Sequence, residues 1–318
     1  MLSSSRVAWA YLGFVALVML LGELVAERTI PTLLLAYAPP VLWLLPAPVV
    51  LLWTFGRRRG IGVALASTLL AAWGAGLLNV PLRQPVTVGP SLRVLTYNVA
   101  RGTLGAPDML AQTLKAADAD IILLQESNFV RASDITVIKA ALPGYRVAQA
   151  HEVTTFTRLP LLDFRRLKLP RKHREVLVTR LRWNGQPLTV VNAHLGTVML
   201  SSALEGDLAR IRRTRDARTD QIRVLTEVAA QTQGRLLLGG DLNTPPRGQA
   251  FRLLRTTFGP SAHDVAGWGP GWTFPSLKLR IDHVMGRELS AALCVVEAAR
   301  GSDHRPLLTR WQAVSGMP

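Results

Sequence analysis

The chain has 318 residues, 49% of them hydrophobic and only 18% charged, with a formal charge of +16. Mean hydropathy is +0.23 and the isoelectric point is about 11.3. This apolar content excludes a disordered chain, and the shortage of charge is unlike an ordinary cytosolic enzyme. The basic excess points to anionic partners: phosphates, nucleic acid or acidic lipid. The lone Cys294 excludes an internal disulfide framework and a cysteine-based zinc site.

Three apolar stretches come first. Residues 7–26 carry only Glu23, and residues 32–55 and 61–82 carry no charge at all. Each reaches the roughly 20 residues a helix needs to cross the hydrocarbon core. The sequence therefore predicts a membrane anchor over 1–85 with three transmembrane helices. Pro39, Pro40, Pro46 and Pro48 interrupt the second, where neighbouring helices must satisfy the freed carbonyls. The first stretch alone also suits a cleaved signal peptide; two more behind it favour an anchor. Arg6 precedes the first stretch and Arg57, Arg58 and Arg59 separate the second from the third, while Glu27 and Arg28 cancel. The positive-inside rule places the amino terminus and the Arg triplet in the cytoplasm. Three crossings then leave everything after about Arg83 outside, in a multi-pass protein of the cell membrane with an extracytoplasmic domain.

Six of the 37 basic and two of the 21 acidic residues lie in the first 85, so the remainder carries +12. After a short linker at 83–91, residues 86–318 read as one globular domain, long enough for a sizeable core. Apolar runs there end abruptly in polar clusters. Leu92–Val99 ends near Asn98; Ile121–Leu124 is followed by Gln125 and Glu126; Leu188–Val191 by Asn192 and His194; Leu236–Leu238 by Gly239, Gly240, Asp241 and Asn243. Leu279–Val284 carries Asp282 and His283. Such runs read as buried strands. Between them, Pro107–Ala117 opens with a proline suited to a first helical turn. Thr219–Ala230 sets Ile222, Leu225, Val228 and Ala229 on one stripe. The alternation predicts a layered α/β domain, with polar groups gathered on one rim. Taken singly, each cluster is ordinary turn or strand-end chemistry.

The six clusters in order are Thr-Tyr-Asn (96–98), Gln-Glu (125–126), Asn-Ala-His-Leu (192–195), Gly-Asp-Leu-Asn (240–243), Arg-Ile-Asp-His (280–283) and Ser-Asp-His-Arg-Pro (302–306). Together they resemble the endonuclease/exonuclease/phosphatase superfamily, the DNase I-like fold, over roughly Leu92 to Trp311. The resemblance implies a four-layer α/β sandwich and Mg²⁺- or Mn²⁺-dependent hydrolysis of a phosphate ester. Magnesium prefers oxygen ligands and needs only one or two carboxylates, which fits Glu126 with Asn98 beside it; Asp303 reads either as a ligand to a second metal or as a nearby hydrogen-bonding group. His194 suits donation to a phosphate oxygen as charge develops. Asp241 is expected to orient or deprotonate the attacking water, and Asn243, on the same side of an extended segment, to hold the phosphoryl group. His304 is expected as general base or proton shuttle, which needs an orienting acceptor; the resemblance implies that Asp282, the aspartate of the Arg-Ile-Asp segment, takes that role, its other reading being a salt bridge with Arg280. His151, His173, His263 and His283 match no catalytic position.

One departure stands out. The family often has a glycine-bearing strand ending in Ser-Arg before a proline; here the segment is His151–Pro160, without the glycine. Thr157 and Arg158 stand in, with Arg158 as the candidate contact to substrate phosphate.

Two basic tracts, Arg165–Arg174 between predicted strands and Arg210–Arg218 opening a helix, read either as solvated surface or as attraction to lipid headgroups or nucleic-acid phosphates. Thr197–Leu204 is an apolar loop just after His194. It reads either as buried or as dipping into the bilayer beside the site. A three-span anchor before such a domain also resembles the bacterial membrane proteins linked to resistance against teicoplanin-type glycopeptides. That resemblance implies a polyprenyl pyrophosphate or related envelope lipid as substrate; a phospholipid is a further candidate. The alternatives are a membrane-anchored nuclease acting on DNA or RNA and a non-catalytic phosphate-binding module. The first lacks an aromatic stretch for stacking bases. The second has no need of Asn98, Glu126, Asp241, Asn243 and His304 together.

Overall fold

The structure is a computed structural model that describes residues 3–81, 89–170, 174–198, 201–298 and 300–314. Four helices open the chain: α1 (Ser4–Leu20), α2 (Ile30–Tyr37), α3 (Ala47–Arg57) and α4 (Ile61–Gly74). Two continuous helical stretches, Ser4–Arg28 and Pro40–Arg57, are long and apolar enough to cross a membrane, and α4 is a shorter apolar helix. Small side chains bring them together: Ala8, Ala47, Ala64 and Ala71 are buried with Tyr11, Val15 and Val50, as in helix packing within lipid. Trp9, Leu17, Leu20, Leu52 and Leu69 face outward. This is the reverse of a soluble helix bundle.

The apolar stretch 32–55 is not one helix. Pro39 and Pro40 stop α2 at Tyr37, because a proline disfavours helical geometry in the residue before it; a 3-10 turn at Pro40–Leu44 then leads to α3. The freed α2 turns onto the following domain, where Leu33 and Tyr37 pack on Val198 and Ile211. Val198, expected in lipid or in a buried loop, is thus covered by the chain's own α2; Met199 and Leu200 lie outside the described residues. So do 83–88 of the expected linker, and His173.

The domain follows as β1 (Ser91–Asn98), α5 (Pro107–Ala116), β2 (Ile121–Gln125), α6 (Asp134–Ala141), β3 (Arg146–Gln149), β4 (Val153–Thr157), β5 (Leu161–Lys168), β6 (Glu175–Trp183) and β7 (Gln186–Asn192). Then come α7 (Ser201–Leu204), α8 (Leu208–Ala230), β8 (Arg235–Asp241), α9 (Gln249–Phe258), α10 (Ala262–Ala266), β9 (Asp282–Arg287), β10 (Leu289–Val296) and β11 (Leu307–Ala313). One sheet runs β10-β11-β1-β2-β4-β3 and the other β5-β6-β7-β8-β9.

The sheets pack face to face: Leu92, Val94, Ile121 and Leu123 of one meet Leu188, Val190, Leu237 and Val284 of the other. The outer face of the first is covered by Leu110, Leu114 and Ile138 from α5 and α6. The outer face of the second is covered by Ile222, Leu225, Phe251 and Leu254 from α8 and α9. This is the four-layer α/β sandwich expected.

The topology brings the polar clusters to one rim. β1 and β2 run parallel with Asn98 opposite Gln125, and β7 and β8 run parallel with Asn192 opposite Gly239. Antiparallel β9 starts with Asp282 opposite Asp241, and antiparallel β11 starts with Leu307 opposite Thr96. Gly240 is required here: at φ 146° a Cβ would collide with the Ala193 carbonyl. The basic tract expected between strands lies partly within β5, an edge strand whose Arg165 and Arg166 guard the open edge.

Candidate active site

Asp241 is the hub. Its Oδ2 accepts from Asn98 Nδ2 at 3.0 Å, and its Oδ1 accepts from the Asn243 backbone N–H at 2.9 Å. His194 Nε2 and His304 Nε2 lie 3.4 and 3.7 Å from the same Oδ2. Behind each imidazole stands a second carboxylate. His304 Nδ1 is 2.8 Å from Asp282 Oδ2, and His194 Nδ1 is 3.3 Å from Glu152 Oε2. Asp241, Asp282, His194 and His304 are all buried. Glu126 sits at the mouth, its side chain 31% exposed, with Oε1 3.9 Å from His194 Nε2 and 3.5 Å from Asn98 Nδ2. Glu126 and Asn243 both adopt left-handed backbone, at φ 51° and 46°. Such strain in non-glycine residues persists where the surroundings over-determine it.

Electrostatics follow from this nesting. Burial opposes the charged form of His304, but the carboxylates of Asp282 and Asp241 outweigh it and hold the imidazole's pKa up at about 10. Burial likewise opposes ionisation of Asp241, yet His304, His194 and the hydrogen bonds from Asn98 and Asn243 keep its carboxyl below the usual range. With no cation bound, the network therefore favours an ionised Asp241 facing a protonated His304.

Beneath the rim, Gln125 Nε2 donates to Asn192 Oδ1 at 2.8 Å, and Asn192 Nδ2 donates to the Thr154 carbonyl at 3.0 Å. These buried amides tie the two sheets together under the site. Arg218, counted within a surface tract by sequence, is buried instead. It donates to the carbonyls of Gly196 and Leu242 and to Thr244 Oγ1, pinning the loops that carry His194 and Asp241.

The structure thus brings together Asn98, Glu126, His194, Asp241, Asn243, Asp282 and His304. Two expectations change, those for Asn243 and Arg158. Asn243 is not in an extended segment: it closes an Asx turn on Asp241, and its Nδ2 donates to the Leu195 carbonyl at 3.0 Å. Asp303 is exposed at the mouth, its Oδ1 3.4 Å from Ser302 Oγ. Arg158 is not at the site. Thr157, just before it, pairs with Ile121 at the opposite end of β2 from Gln125, and the Arg158 guanidinium is held by Asp118 at 2.6 Å.

Asp282 pairs with His304, and Arg280 takes Asp264 instead, at 2.9 Å. Of the histidines set aside, His283 points away from the site, its Nε2 donating to the Thr244 carbonyl at 2.8 Å. His263 is buried among Asn79 and the Trp268 segment, and burial holds its pKa down to about 2. Sequence reasoning missed Glu152. Its signal was a Glu immediately before a β-rich run, the mirror image of the clusters that end the other strands.

The donor chemistry suits a hard divalent cation. Asp241, Asp282 and His304 offer ligand atoms within 4.8 Å of one another, with the Glu126 carboxylate at the entrance. Among the described residues, no Lys or Arg forms an ion pair with Glu126, Asp241 or Asp282.

The sequence model of the endonuclease/exonuclease/phosphatase family matches residues 95–304. The chain belongs to the endonuclease/exonuclease/phosphatase family. Members are divalent-metal-dependent phosphoesterases and nucleases, and this protein is a phosphoric ester hydrolase. A Bacteroides vulgatus endonuclease/exonuclease/phosphatase superposes with TM-score 0.57 at 18% identity, covering 71% of this chain and 100% of its own. The human nocturnin catalytic domain with bound sulfate superposes at 0.54 and 14% identity, covering 72% and 97%. Danio rerio TDP2 complexed with a single-strand DNA product superposes at 0.51 and 15% identity, covering 71% and 100%. At these identities the likeness is one of fold. No curated protein matches the sequence.

Proposed function

We propose that this family member is a membrane-anchored, extracytoplasmic phosphoesterase whose substrate is a lipid-linked phosphate ester, such as a polyprenyl pyrophosphate or phospholipid. The observation that carries this reading is the joint between anchor and site. Tyr37 Oη of α2 donates to the Asn243 carbonyl at 2.8 Å, so the apolar N-terminal segment is bonded to the very loop that carries Asp241. Glu27 Oε2 accepts from the Gln249 N–H at 2.8 Å, adding a second tie at the start of α9. A site fixed beside apolar helices meets a membrane-borne substrate at high effective concentration. The basic residues that flank the anchor, Arg6 and Arg57–Arg59, favour the orientation with the catalytic domain outside.

Glu126, with Asn98 and Asp303 at the mouth, would hold the divalent cation, Mg²⁺ or Mn²⁺. Bound there it supplies Lewis-acid stabilisation of charge on the phosphoryl oxygens. Asp241, ionised and aligned by Asn98, orients and accepts a proton from the attacking water. His194 donates through Nε2 to a non-bridging oxygen. His304, oriented by Asp282 and facing Asp241, is the general base or proton shuttle, and the two carboxylates favour its protonated form. In phosphoryl transfer such positioning and charge stabilisation account for most of the rate.

The test uses the full chain in detergent or nanodiscs with Mg²⁺ or Mn²⁺, offered a polyprenyl pyrophosphate, a phospholipid and DNA in parallel. Lipid phosphate turnover that is lost in Glu126→Ala and His304→Ala supports the reading. Preferential cleavage of DNA makes the protein an anchored nuclease. Tight binding with no turnover of any substrate makes it a phosphate-binding module.

A further inference from the structure

A groove with a cavity of about 260 Å³ runs between the N-terminal helices and the catalytic domain. Its two walls differ in chemistry. The anchor contributes Val18, Trp43 and Trp73, and the domain contributes Arg247, Arg255 and Lys278. The carboxylates that also line it are already engaged: Glu23 pairs with Arg252 at 2.6 Å and Asp264 with Arg280 at 2.9 Å. Among the described residues, no ion pair is formed by Arg247, Arg255 or Lys278. Arg247 lies over the Trp73 ring at 5.5 Å and Lys278 over Trp272 at 5.7 Å. Arg280, also in the lining, is only 8% exposed, and its Nε and Nη1 are buried without a hydrogen-bond partner. A buried guanidinium with two unmet donors is costly, and it marks the floor of the groove as a place for an acceptor-rich group.

One occupant satisfies both walls. A free phosphate would leave the Val18, Trp43 and Trp73 face exposed, and a neutral lipid would leave the cations unmatched. An apolar chain carrying a phosphate fits the segregation of the two, as at membrane interfaces. We infer that this groove binds one anionic membrane lipid, its hydrocarbon chain against Val18, Trp43 and Trp73 and its phosphate against Arg247, Arg255 and Lys278.

The inference rests on the reading that the apolar helices lie in a bilayer. It deepens the lipid assignment because the groove shares its walls with the catalytic loops. Arg247 follows the Asp241–Asn243 turn within a few residues, and Lys278 and Arg280 lead directly into Asp282. Phe274, paired across its turn with Leu279 of the groove, has its ring 5.0 Å from that of His304.

The experiment is native mass spectrometry of the full chain in detergent. The added probes are phosphatidylglycerol, phosphatidylcholine with the same acyl chains, or inorganic phosphate. One phosphatidylglycerol is expected to be retained at least tenfold more tightly than phosphatidylcholine. Retention should fall at least tenfold in Arg247→Gln/Lys278→Gln and in the more exposed Arg255→Gln/Lys278→Gln. It should persist in Arg57→Gln/Arg58→Gln, which lies outside the groove, and in Glu126→Gln, which removes hydrolysis. Equal retention of the two lipids overturns the proposal, as does unchanged retention in a folded groove variant. Phosphate that displaces the lipid at equal concentration overturns it as well. Loss of hydrolysis in Glu126→Gln without any lipid retention leaves the hydrolase standing and removes only the groove.

Discussion

His304 Nδ1 lies 2.8 Å from Asp282 Oδ2, so the imidazole is oriented by one carboxylate while its Nε2 faces another, Asp241. The pair fixes both the ring's direction and its charge. His304→Gln keeps a donor of similar size but loses the cation, and Asp282→Asn keeps the hydrogen-bonding shape but loses the orienting charge. Each should lower kcat about 10²- to 10⁴-fold, the range for a positioned proton-transfer group. Steady-state hydrolysis by the two variants and the double variant checks this. The double loss should fall short of the product of the single losses, because the two groups act as a unit.

The same pairing makes stability depend on pH. His304 titrates near 10 in the folded protein against an ordinary value of 6.5. Folding therefore favours its protonated form. The stabilisation is complete below about pH 6.5 and is lost as pH rises through about 10. In chelator, where no metal competes, Tm should fall between pH 7 and 10.5, and His304→Gln should flatten that fall. Differential scanning fluorimetry across the range measures it.

Much of this site is legible in the sequence because strands end where their apolar runs end. β1, β2, β7 and β8 stop at Asn98, Gln125, Asn192 and Asp241, each where a polar residue follows a buried run. Other features are set by tertiary contacts. The Arg-rich half of α8 carries no continuous apolar stripe, yet the helix begins at Leu208, because Ile211 is covered by α2 and Arg218 is buried between two loops. β9 begins at Asp282 rather than Leu279, because Leu279 pairs with Phe274 in a turn of its own. Arg158 looks like a substrate contact by position after a strand, but β4 runs antiparallel to β2, which sends its end to the far rim. Glu152 is the converse: the same antiparallel run brings the start of β4 to the site.

Arg158→Ala should accordingly leave kcat/KM within about twofold of the wild type. Its partner Asp118 is largely exposed, and exposed ion pairs contribute only about 0–1 kcal/mol. A tenfold loss of kcat/KM in a folded variant would place the residue at the substrate after all.

Tyr37→Phe tests the joint between anchor and site. It removes the donor to the buried Asn243 carbonyl while keeping the ring that packs on Val198. An unsatisfied buried carbonyl costs about 1–3 kcal/mol. Unfolding of the detergent-solubilised chain should shift by that amount, with a fall in kcat as the Asp241–Asn243 turn loosens. An unchanged kcat and an unchanged midpoint together would show that α2 does not support the catalytic loop.

The most direct test of one metal-dependent site is Mn²⁺ titration followed by electron paramagnetic resonance of the full chain, wild type against Glu126→Gln, with hydrolysis measured on the same samples. The wild type should bind Mn²⁺ and turn over phosphate ester in proportion to occupancy. Glu126→Gln should lose at least tenfold in Mn²⁺ affinity and most of its turnover while keeping its fold. Undiminished Mn²⁺ binding and turnover in Glu126→Gln would contradict the assignment of this rim as the catalytic centre.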